Sequence, residues 1–216
     1  MTQALESLCR NLGLALTPAQ LQTLSQYLEM LQRWNATYNL TAVRDPEAML
    51  TQHLADCLAV VQPLRRHLTL GRVLDVGSGG GLPGAVLAIV EPQWQVSCVD
   101  AVGKKTAFIR QVAGALGLPN LQALHARVET LATASFDLIT SRAFASLPDF
   151  TRLTRALLAP NGVWMAMKGK LPQDEITALP AEVEAFHVEP LSVPGLAAER
   201  CLIWMRPASP RPAGGP

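Results

Sequence analysis

A glycine-rich turn near the middle of the chain is the strongest candidate for a ligand site. The apolar run at residues 73–76 leads directly into Gly77, and five of the eight residues 77–84 are glycine. Glycine adopts positive φ easily and lets a ligand approach the backbone, and five glycines would cost stability in a turn that binds nothing. A helix that begins beyond such a turn attracts anionic groups to its N-terminus. The pattern therefore predicts a nucleotide-type cofactor where a strand turns into a helix.

Two registers of these glycines compete. Positions 79, 81 and 84 match the dinucleotide fingerprint G-x-G-x-x-G. Taken from the strand end, however, the pattern is an acidic residue, Asp75, followed by Gly77, Gly79 and Gly81. This second pattern resembles motif I of the class I S-adenosylmethionine (SAM) methyltransferases. It makes SAM the favoured cofactor and leaves NAD as the alternative.

The elements that must position this turn alternate along the chain. From Arg72 onwards short apolar runs alternate with helical stretches, which predicts a parallel sheet covered on both faces. The last two runs, FHVEPLSV and CLIWMR, are too close for a helical crossover and should form an antiparallel pair at one edge. Such a pair is typical of methyltransferases and not of dehydrogenases. We therefore predict an α/β fold of the class I SAM-dependent methyltransferase (Rossmann-like) type, with a mostly parallel seven-stranded sheet.

A helical extension is expected before the sheet, over residues 1–70. Residues 17–20, TPAQ, have the cap, the proline and the glutamine of a capping box, and Asp45 followed by proline opens a second helix. The SAM-binding domain is expected to span residues 71–206. Residues 207–216, rich in proline and glycine, should form a flexible tail.

The composition predicts a folded protein without a metal site. Hydrophobic residues make up 49% of the 216 residues and charged residues 16%, which is enough to bury a large core. The four cysteines show no C-x-x-C spacing, so neither a zinc site nor a compact disulfide framework is indicated. No signal-peptide pattern and no membrane-length apolar run are seen. We expect a cytoplasmic protein with no membrane or metal partner.

The charge balance bears on a nucleic-acid partner. Lys and Arg number 18 and Asp and Glu 17, a net charge of +1, which argues against a general nucleic-acid binder. Residues 171–199, however, contain six acidic residues and neither Lys nor Arg. This acidic stretch masks a basic excess elsewhere, so we expect selective binding of one folded RNA site, with a shallow salt dependence.

Nearly the whole chain resembles one family, the bacterial RsmG (GidB) 16S rRNA guanine-N7 methyltransferases. The segments that carry the resemblance include DVGSGGGLPG, VDAVGKKTAFIRQV, SRAFASL, MKGKLPQDEI and ERCLIW. Only the glycine loop and SRAFASL are distinctive alone, but their order and spacing together make the resemblance specific. The chain departs from the family at Gly80, where proline is frequent, and at Cys57, where serine is common. The first departure could loosen the loop, whereas the second puts nothing functional in doubt.

The resemblance implies transfer of a methyl group from SAM to N7 of a single guanine, of the guanine-527 type, in 16S ribosomal RNA. The partner would be 16S rRNA or the small ribosomal subunit, and we expect a monomer. Guanine N7 has a free lone pair and no proton, so the reaction depends on positioning and needs no general base. The alternatives are a methyltransferase for another RNA site or a small molecule, an NAD-dependent oxidoreductase, and a non-catalytic assembly factor.

Candidate site residues follow from the motif, the strand ends and the resemblance. The resemblance places Leu82, Val128 and Glu129 in the cofactor pocket and Arg142 at its mouth, with a helix-end carboxylate as the ordinary alternative for Glu129. Asp100 ends the second strand, where it could accept hydrogen bonds from ribose hydroxyls or cap a helix. The full predicted set for the cofactor is Gly77, Gly79, Gly81, Leu82, Asp100, Val128, Glu129 and Arg142.

A basic rim beside this pocket is predicted to bind RNA phosphates. Its members are Lys104, Lys105, Arg127, Lys168 and Arg200. Arg142 and Lys168 are assigned to positioning, and no residue is assigned as a catalytic acid or base. Contacts with cofactor or base, or ordinary capping and surface roles, stay open for Asn35, Tyr38, Asn39, His53 and Asp56.

Overall fold

The computed structural model describes residues 2–68, 71–131 and 135–208, and these residues build one seven-stranded sheet in the order β3-β2-β1-β4-β5-β7-β6. Strands β1 to β5 pair in parallel, and β7 is antiparallel to both β5 and β6. The predicted mostly parallel sheet with an antiparallel edge pair is therefore confirmed. The strands are β1 (Arg72–Val76), β2 (Gln95–Asp100), β3 (Leu121–His125), β4 (Phe136–Arg142), β5 (Leu158–Lys168), β6 (Val183–Pro190) and β7 (Cys201–Pro207).

Helices of the extension precede the sheet. The predicted capping box is present, because the Gln20 N–H donates to Thr17 Oγ1 at 3.2 Å and the Thr17 N–H donates to Gln20 Oε1 at 3.0 Å. The second predicted helix is interrupted by a π-helical segment, Leu50–Ala55, of a kind that occurs frequently at functional sites. The α-helices of this part are α1 (Thr2–Asn11), α2 (Pro18–Tyr38), α3 (Pro46–Met49), α4 (Asp56–Ala59) and α5 (Val61–His67).

The remaining helices cover the two faces of the sheet. On one face Leu28 and Leu54 of the extension share a hydrophobic cluster with Phe108, and Trp164 belongs to the cluster on the other face. The extension is thus packed into the core of the molecule. The later helices are α6 (Gly84–Val90), α7 (Gly103–Ala115), α8 (Leu147–Thr154) and α9 (Gln173–Thr177), with 3₁₀ turns at Val128–Thr130 and Arg155–Leu157.

Both predicted domain boundaries, after residue 70 and after residue 206, lie close to residues outside the described ranges. Helix α5 ends at His67 and β1 begins at Arg72, while residues 69 and 70 lie outside the described residues, so the division at residue 70 stays a prediction. At the other end, Pro207 belongs to β7 and the Ala208 N–H donates to Glu182 O at 2.8 Å. The ordered strand therefore extends into the predicted tail, whose residues 209–216 lie outside the described residues.

The strand order fixes where a ligand can bind. From β1 the chain proceeds outward through β2 to β3 and then returns to place β4 on the other side of β1. In open α/β sheets such a reversal leaves a crevice at the carboxyl ends of the strands, and ligands bind there. The glycine turn after β1 lies at this point.

Candidate active site

Two contiguous cavities open at the carboxyl edge of the sheet. The helix-side cavity, of about 620 Å³, lies between the glycine turn, the N-terminal helices and the ends of β4 and β5. The strand-side cavity, of about 470 Å³, lies beside the ends of β1, β2 and β3. Gly77, Lys105 and Ala143 line both, so a ligand in one cavity can contact a ligand in the other.

The glycines of the turn have different structural roles. Gly77 has a φ of +66°, and a Cβ there would lie 2.7 Å from Cδ2 of Phe144. Gly79 also has positive φ, and its missing side chain leaves open space in which a ligand can approach the backbone. Gly81, in contrast, faces Ala85 and does not line either cavity, so it shapes the turn, and its contact with the cofactor stays a prediction.

Asp75, the acidic residue of the motif, is a buried structural anchor. Its Oδ2 accepts a hydrogen bond from the Gly84 N–H at 2.8 Å, which ties β1 to the start of α6. Its Oδ1 has no hydrogen-bond partner in the part of the chain that the structure describes. Burial raises the pKa of Asp75 to about 7, although the hydrogen bond from Gly84 and the charge of Arg142 oppose this shift. The carboxyl is therefore costly to ionise in the folded state.

Replacing Asp75 with asparagine is expected to stabilise the protein more at pH 8 than at pH 5. The folded-state pKa lies above the unfolded value, so the wild type loses stability as pH rises from about 4 to about 7. Asparagine has the same shape, can still accept from Gly84 and does not ionise. Urea unfolding of both proteins at the two pH values measures the difference, and an advantage that is equal at both pH values would contradict the raised pKa.

Asp100 ends β2 in the strand-side cavity, as predicted. Its Oδ2 accepts from the Gly79 N–H at 3.0 Å, and its Oδ1 accepts from the Val102 N–H at 2.8 Å at the start of α7. The helix-cap alternative is therefore present, and the contact of Asp100 with a ligand stays a prediction. A carboxylate can accept about four hydrogen bonds, so Asp100 can also receive the hydroxyls of a ribose.

The strand-side cavity has the shape and chemistry for an adenosine group. Its walls include the apolar side chains of Val99, Val128 and Phe144, with Glu129 at the edge. Ligand sites of this kind combine apolar walls with a few directed polar groups. The chain therefore fits a nucleoside cofactor with an acid at its ribose end, and Val128 and Glu129 stay predictions for the adenine contact.

The SRAFASL segment separates the two cavities. Arg142 ends β4 and lines the helix-side cavity, Ala143 has a φ of +57°, and Phe144 lines the strand-side cavity. Ser146 then caps α8, since its Oγ accepts from the Asp149 N–H at 3.3 Å. The turn at Ala143 thus directs neighbouring side chains into different cavities. Sequence reasoning found the segment but missed this division, because the positive φ of an alanine leaves no mark in the sequence.

A buried carboxylate organises the helix-side cavity. Asp56 Oδ2 lies 3.3 Å from Arg142 Nη1, and Asp56 Oδ1 lies 2.9 Å from Arg200 Nε. Asp56 belongs to α4, whereas Arg142 ends β4 and Arg200 immediately precedes β7. This one side chain therefore ties the extension to two strands at the carboxyl edge of the sheet.

His53 lies beside this carboxylate in the π-helical segment. Its Nε2 is 2.6 Å from Thr41 Oγ1, and its Nδ1 lies 3.4 Å from both terminal nitrogens of Arg142. Burial, followed by the charge of Arg142, lowers the pKa of His53 to about 4. His53 is therefore neutral at pH 7 and lines the cavity as a polar, uncharged group.

The other residues with open roles support the extension. The Asn35 side chain donates to Val43 O at 2.9 Å and accepts from the Thr41 N–H at 2.8 Å, which holds the loop after α2. Asn39 ends α2 with a φ of +50°. Tyr38 is exposed and stacks on a tryptophan of its own helix, Trp34. None of Asn35, Tyr38 and Asn39 lines either cavity, so the capping and surface roles apply to them.

The predicted basic rim is only partly brought together. Lys105 lines both cavities, Lys168 and Arg200 line the helix-side cavity, and Arg127 lines the strand-side cavity. Lys104 is exposed on the first turn of α7 and lines neither.

The carboxylate opposite Lys168 was not found from sequence. The Lys168 Nζ lies 2.8 Å from Glu175 Oε2 and also donates to Ala145 O at 3.2 Å. The acidic stretch at residues 171–199 was the available signal, but nothing in it singled out Glu175.

Neither a metal site nor a membrane-spanning helix is found among the described residues. Within residues 2–68, 71–131 and 135–208, no group of three or more His, Cys, Asp and Glu side chains is arranged to hold a metal ion. Over the same ranges, no helix combines the length and apolar character needed to cross a bilayer.

The sheet order, the glycine turn after β1 and the acid that ends β2 define the class I SAM-dependent methyltransferase fold. Among solved structures, a Burkholderia thailandensis 1,6-didemethyltoxoflavin-N1-methyltransferase, which holds S-adenosylhomocysteine, shares this fold with a TM-score of 0.59 at 19% identity. The match covers 86% of this chain and 90% of that chain.

The chain belongs to the GidB family, rRNA small subunit methyltransferase G, whose model matches residues 20–203. Ribosomal RNA small subunit methyltransferase G of Methylibium petroleiphilum is 60% identical over 207 residues, covering 95% of this chain and 94% of that protein. The protein of the same name from Acidovorax ebreus is 59% identical over 219 residues, covering 97% and 96%. The resemblance drawn from the sequence is confirmed.

Proposed function

We propose that this protein transfers the methyl group of SAM to N7 of one guanine in 16S ribosomal RNA. The observation that carries the proposal is the pair of contiguous cavities, which share Gly77 and Ala143 and so bring a donor and an acceptor into contact. The chain's relatives are named as methyltransferases of small-subunit ribosomal RNA. Transfer of labelled methyl from SAM to 16S rRNA, with the modified base mapped by mass spectrometry, tests the proposal.

The strand-side cavity is the proposed site of SAM. Asp100 would receive the ribose hydroxyls, Val128 and Glu129 would flank the adenine, and Gly77 would let the cofactor approach the backbone. Gly79 lines the adjoining helix-side cavity, where it would let the methionine end of SAM approach. When bound, SAM supplies a methyl group on a positively charged sulfur. Leu82 and Arg142 line the helix-side cavity, so their contact with the cofactor would be at its methionine end.

The helix-side cavity is the proposed site of the guanine. In A-form RNA the N7 edge faces a deep, narrow groove, so the base must be unpaired or extruded to reach a protein pocket. No group has to remove a proton from N7, and His53, with a pKa of about 4, is suited to a neutral contact. Arg142 and the Asp56 carboxylate that holds it would fix the orientation of the base, which supplies the rate enhancement through positioning.

The surroundings of the cavities favour an RNA substrate. The proposed phosphate contacts are Lys104, Lys105, Arg127, Lys168 and Arg200, of which Arg127 and Lys104 are the exposed members. We also propose a cytoplasmic location, because the ribosomal substrate is assembled there. A monomeric enzyme is proposed because residues of one chain build both cavities, and light scattering of the purified protein measures this directly.

Replacing Lys168 or Arg142 with alanine should lower RNA methylation about tenfold or more and lower SAM affinity by a smaller factor, less than about threefold for Lys168 and somewhat more for Arg142, which would also contact the methionine end of the cofactor. Both side chains line the helix-side cavity and are absent from the walls of the strand-side cavity. Single-turnover transfer of labelled methyl measures the first effect, and calorimetry with SAM measures the second. The exposed Lys170, which lines neither cavity, is the matched control. Equal losses in methylation and SAM affinity would mean that Lys168 and Arg142 serve the cofactor alone.

A further inference from the structure

The four cations that line the helix-side cavity each face a carboxylate of the same chain. Asp100 faces Lys105, and Asp56 faces both Arg142 and Arg200. The side chains of these two aspartates are only 7% and 3% exposed, and each holds at least two donors. Neither can leave its cation without leaving a charge buried and unpaired. The phosphates of an RNA cannot displace these two carboxylates.

Glu175, which faces Lys168, differs in its surroundings. Its side chain is 32% exposed, and it lies on α9, a helix of five residues of which none is buried. Its Oε1 and Oε2 lie 3.0 and 2.8 Å from Lys168 Nζ, and Oε2 also accepts from the Leu147 N–H at 2.6 Å. The helix itself is anchored, because Ile176 packs against the second hydrophobic cluster, but the Glu175 side chain lies at its surface. The Glu175 side chain can therefore turn into solvent when another acceptor takes over both Lys168 Nζ and the Leu147 N–H.

Within the acidic stretch at residues 171–199, Glu175 is the residue that faces a cation of the helix-side cavity. Residues 171–199 contain six acidic residues and neither Lys nor Arg. Glu184 and Glu189 of β6 pair with Arg206 and Arg66, whereas Glu175 pairs with Lys168, which lines the cavity proposed for the RNA base. The negative charge of Glu175 repels an RNA that binds without placing a phosphate next to Lys168, and this disfavours an incorrect RNA. A phosphate held close to Lys168 by the rest of a docked RNA has a high effective concentration and can compete with the carboxylate.

We propose that Glu175 occupies the place of an RNA phosphate at Lys168 and is displaced by that phosphate when the substrate RNA binds. The inference rests on the proposed function and adds a device that selects the correct RNA. Before binding, the Glu175 carboxylate neutralises the Lys168 ammonium. In the complex, phosphate oxygens accept from Lys168 Nζ and from the Leu147 N–H, and the Glu175 side chain turns into solvent while α9 stays in place.

The test compares two substitutions that remove one negative charge from the same helix. Asp174 neighbours Glu175 on α9, is exposed and makes no ion pair within the described residues. We expect Glu175→Gln to tighten binding of a full-length 16S rRNA transcript about five- to tenfold, and Asp174→Asn to change it less than about twofold. In a Lys168→Met background Glu175→Gln should have no effect, because the cation for which carboxylate and phosphate compete is then missing. Filter binding at a fixed salt concentration measures the affinities of the wild type and the four variants, and thermal melting confirms that each variant is folded.

Each other result overturns the inference. Equal tightening by Glu175→Gln and Asp174→Asn would mean that only the general charge of α9 matters, whereas weaker binding by Glu175→Gln would mean that Glu175 holds Lys168 ready for the RNA. Persistence of the effect in the Lys168→Met background would place the phosphate elsewhere. A wild type that binds the transcript but transfers no methyl group to it would refute the proposed function without touching this comparison.

Discussion

Replacing Asp100 with alanine is expected to weaken SAM binding about 100-fold. Hydrogen bonds between a charged acceptor and its partners contribute about 1.5–3 kcal/mol each, and one or two such bonds from ribose hydroxyls give a loss of this size. The substitution also removes the acceptor for the Gly79 and Val102 N–H groups, which lie 3.0 and 2.8 Å from the carboxylate. The glycine turn would then lose the bond that holds it against β2. Calorimetric titration with SAM measures the affinity.

Two further variants separate the ligand contact from damage to the fold. Asp137 also accepts a backbone N–H, that of Arg72 at 2.7 Å, but it lies at the opposite end of β1. Asp137→Ala should therefore leave SAM affinity unchanged. Asp100→Asn keeps one acceptor for Gly79 and should fall between the wild type and Asp100→Ala. Unchanged affinity of a folded Asp100→Ala protein would refute the placement of the ribose at the end of β2.

The sheet and its glycine turn could be predicted because their signals are local. The apolar run before Gly77 and the glycines after it lie within a dozen residues, and strand formation there depends on neighbours in the sequence. The meeting of Asp100 and Arg142 at one edge was predictable for a different reason, since the carboxyl ends of parallel strands lie at the same edge of a sheet. Rules of this kind need no knowledge of side-chain packing.

The helix-side cavity could not be predicted, because distant segments build it. Asp56 is 86 residues from Arg142 and 144 residues from Arg200 in the sequence, yet it contacts both. Nothing local distinguishes this aspartate from any other on a helix surface, and the sequence left its role open. The π-helical segment that precedes it depends on how the extension packs against the sheet. Lys168 and Glu175 are close in the sequence, but their pairing depends on where the chain places α9 after the end of β5.

The Asp56 contacts affect the geometry of the site more than the stability of the fold. Two guanidinium groups converge on one buried carboxylate, and neither arginine has a second ion-pair partner among the described residues. Such a cluster contributes less to stability than its contacts suggest, because the charges must be desolvated. Its main effect is to fix Arg142 and Arg200 relative to each other, across the cavity proposed for the guanine.

Replacing Asp56 with alanine is therefore expected to lower the free energy of unfolding by about 3 kcal/mol. Breaking a buried pair by removing one partner costs about 3–5 kcal/mol. The lower end applies because the side chains of Arg142 and Arg200 are 21% and 25% exposed and keep some hydration. Asp45→Ala is the control: it removes an exposed carboxylate that caps α3, at a cost of about 1 kcal/mol.

Urea unfolding at pH 7 measures both Asp56→Ala and Asp45→Ala. The stability lost in Asp56→Ala should be partly recovered by adding Arg200→Met, since that change removes one of the two charges left without a partner. RNA methylation should stay low in the double variant, because Arg142 is no longer held in position. A loss in Asp56→Ala no larger than that in Asp45→Ala would mean that water, and not the carboxylate, satisfies the two arginines, and that their orientation in the cavity is set by other contacts.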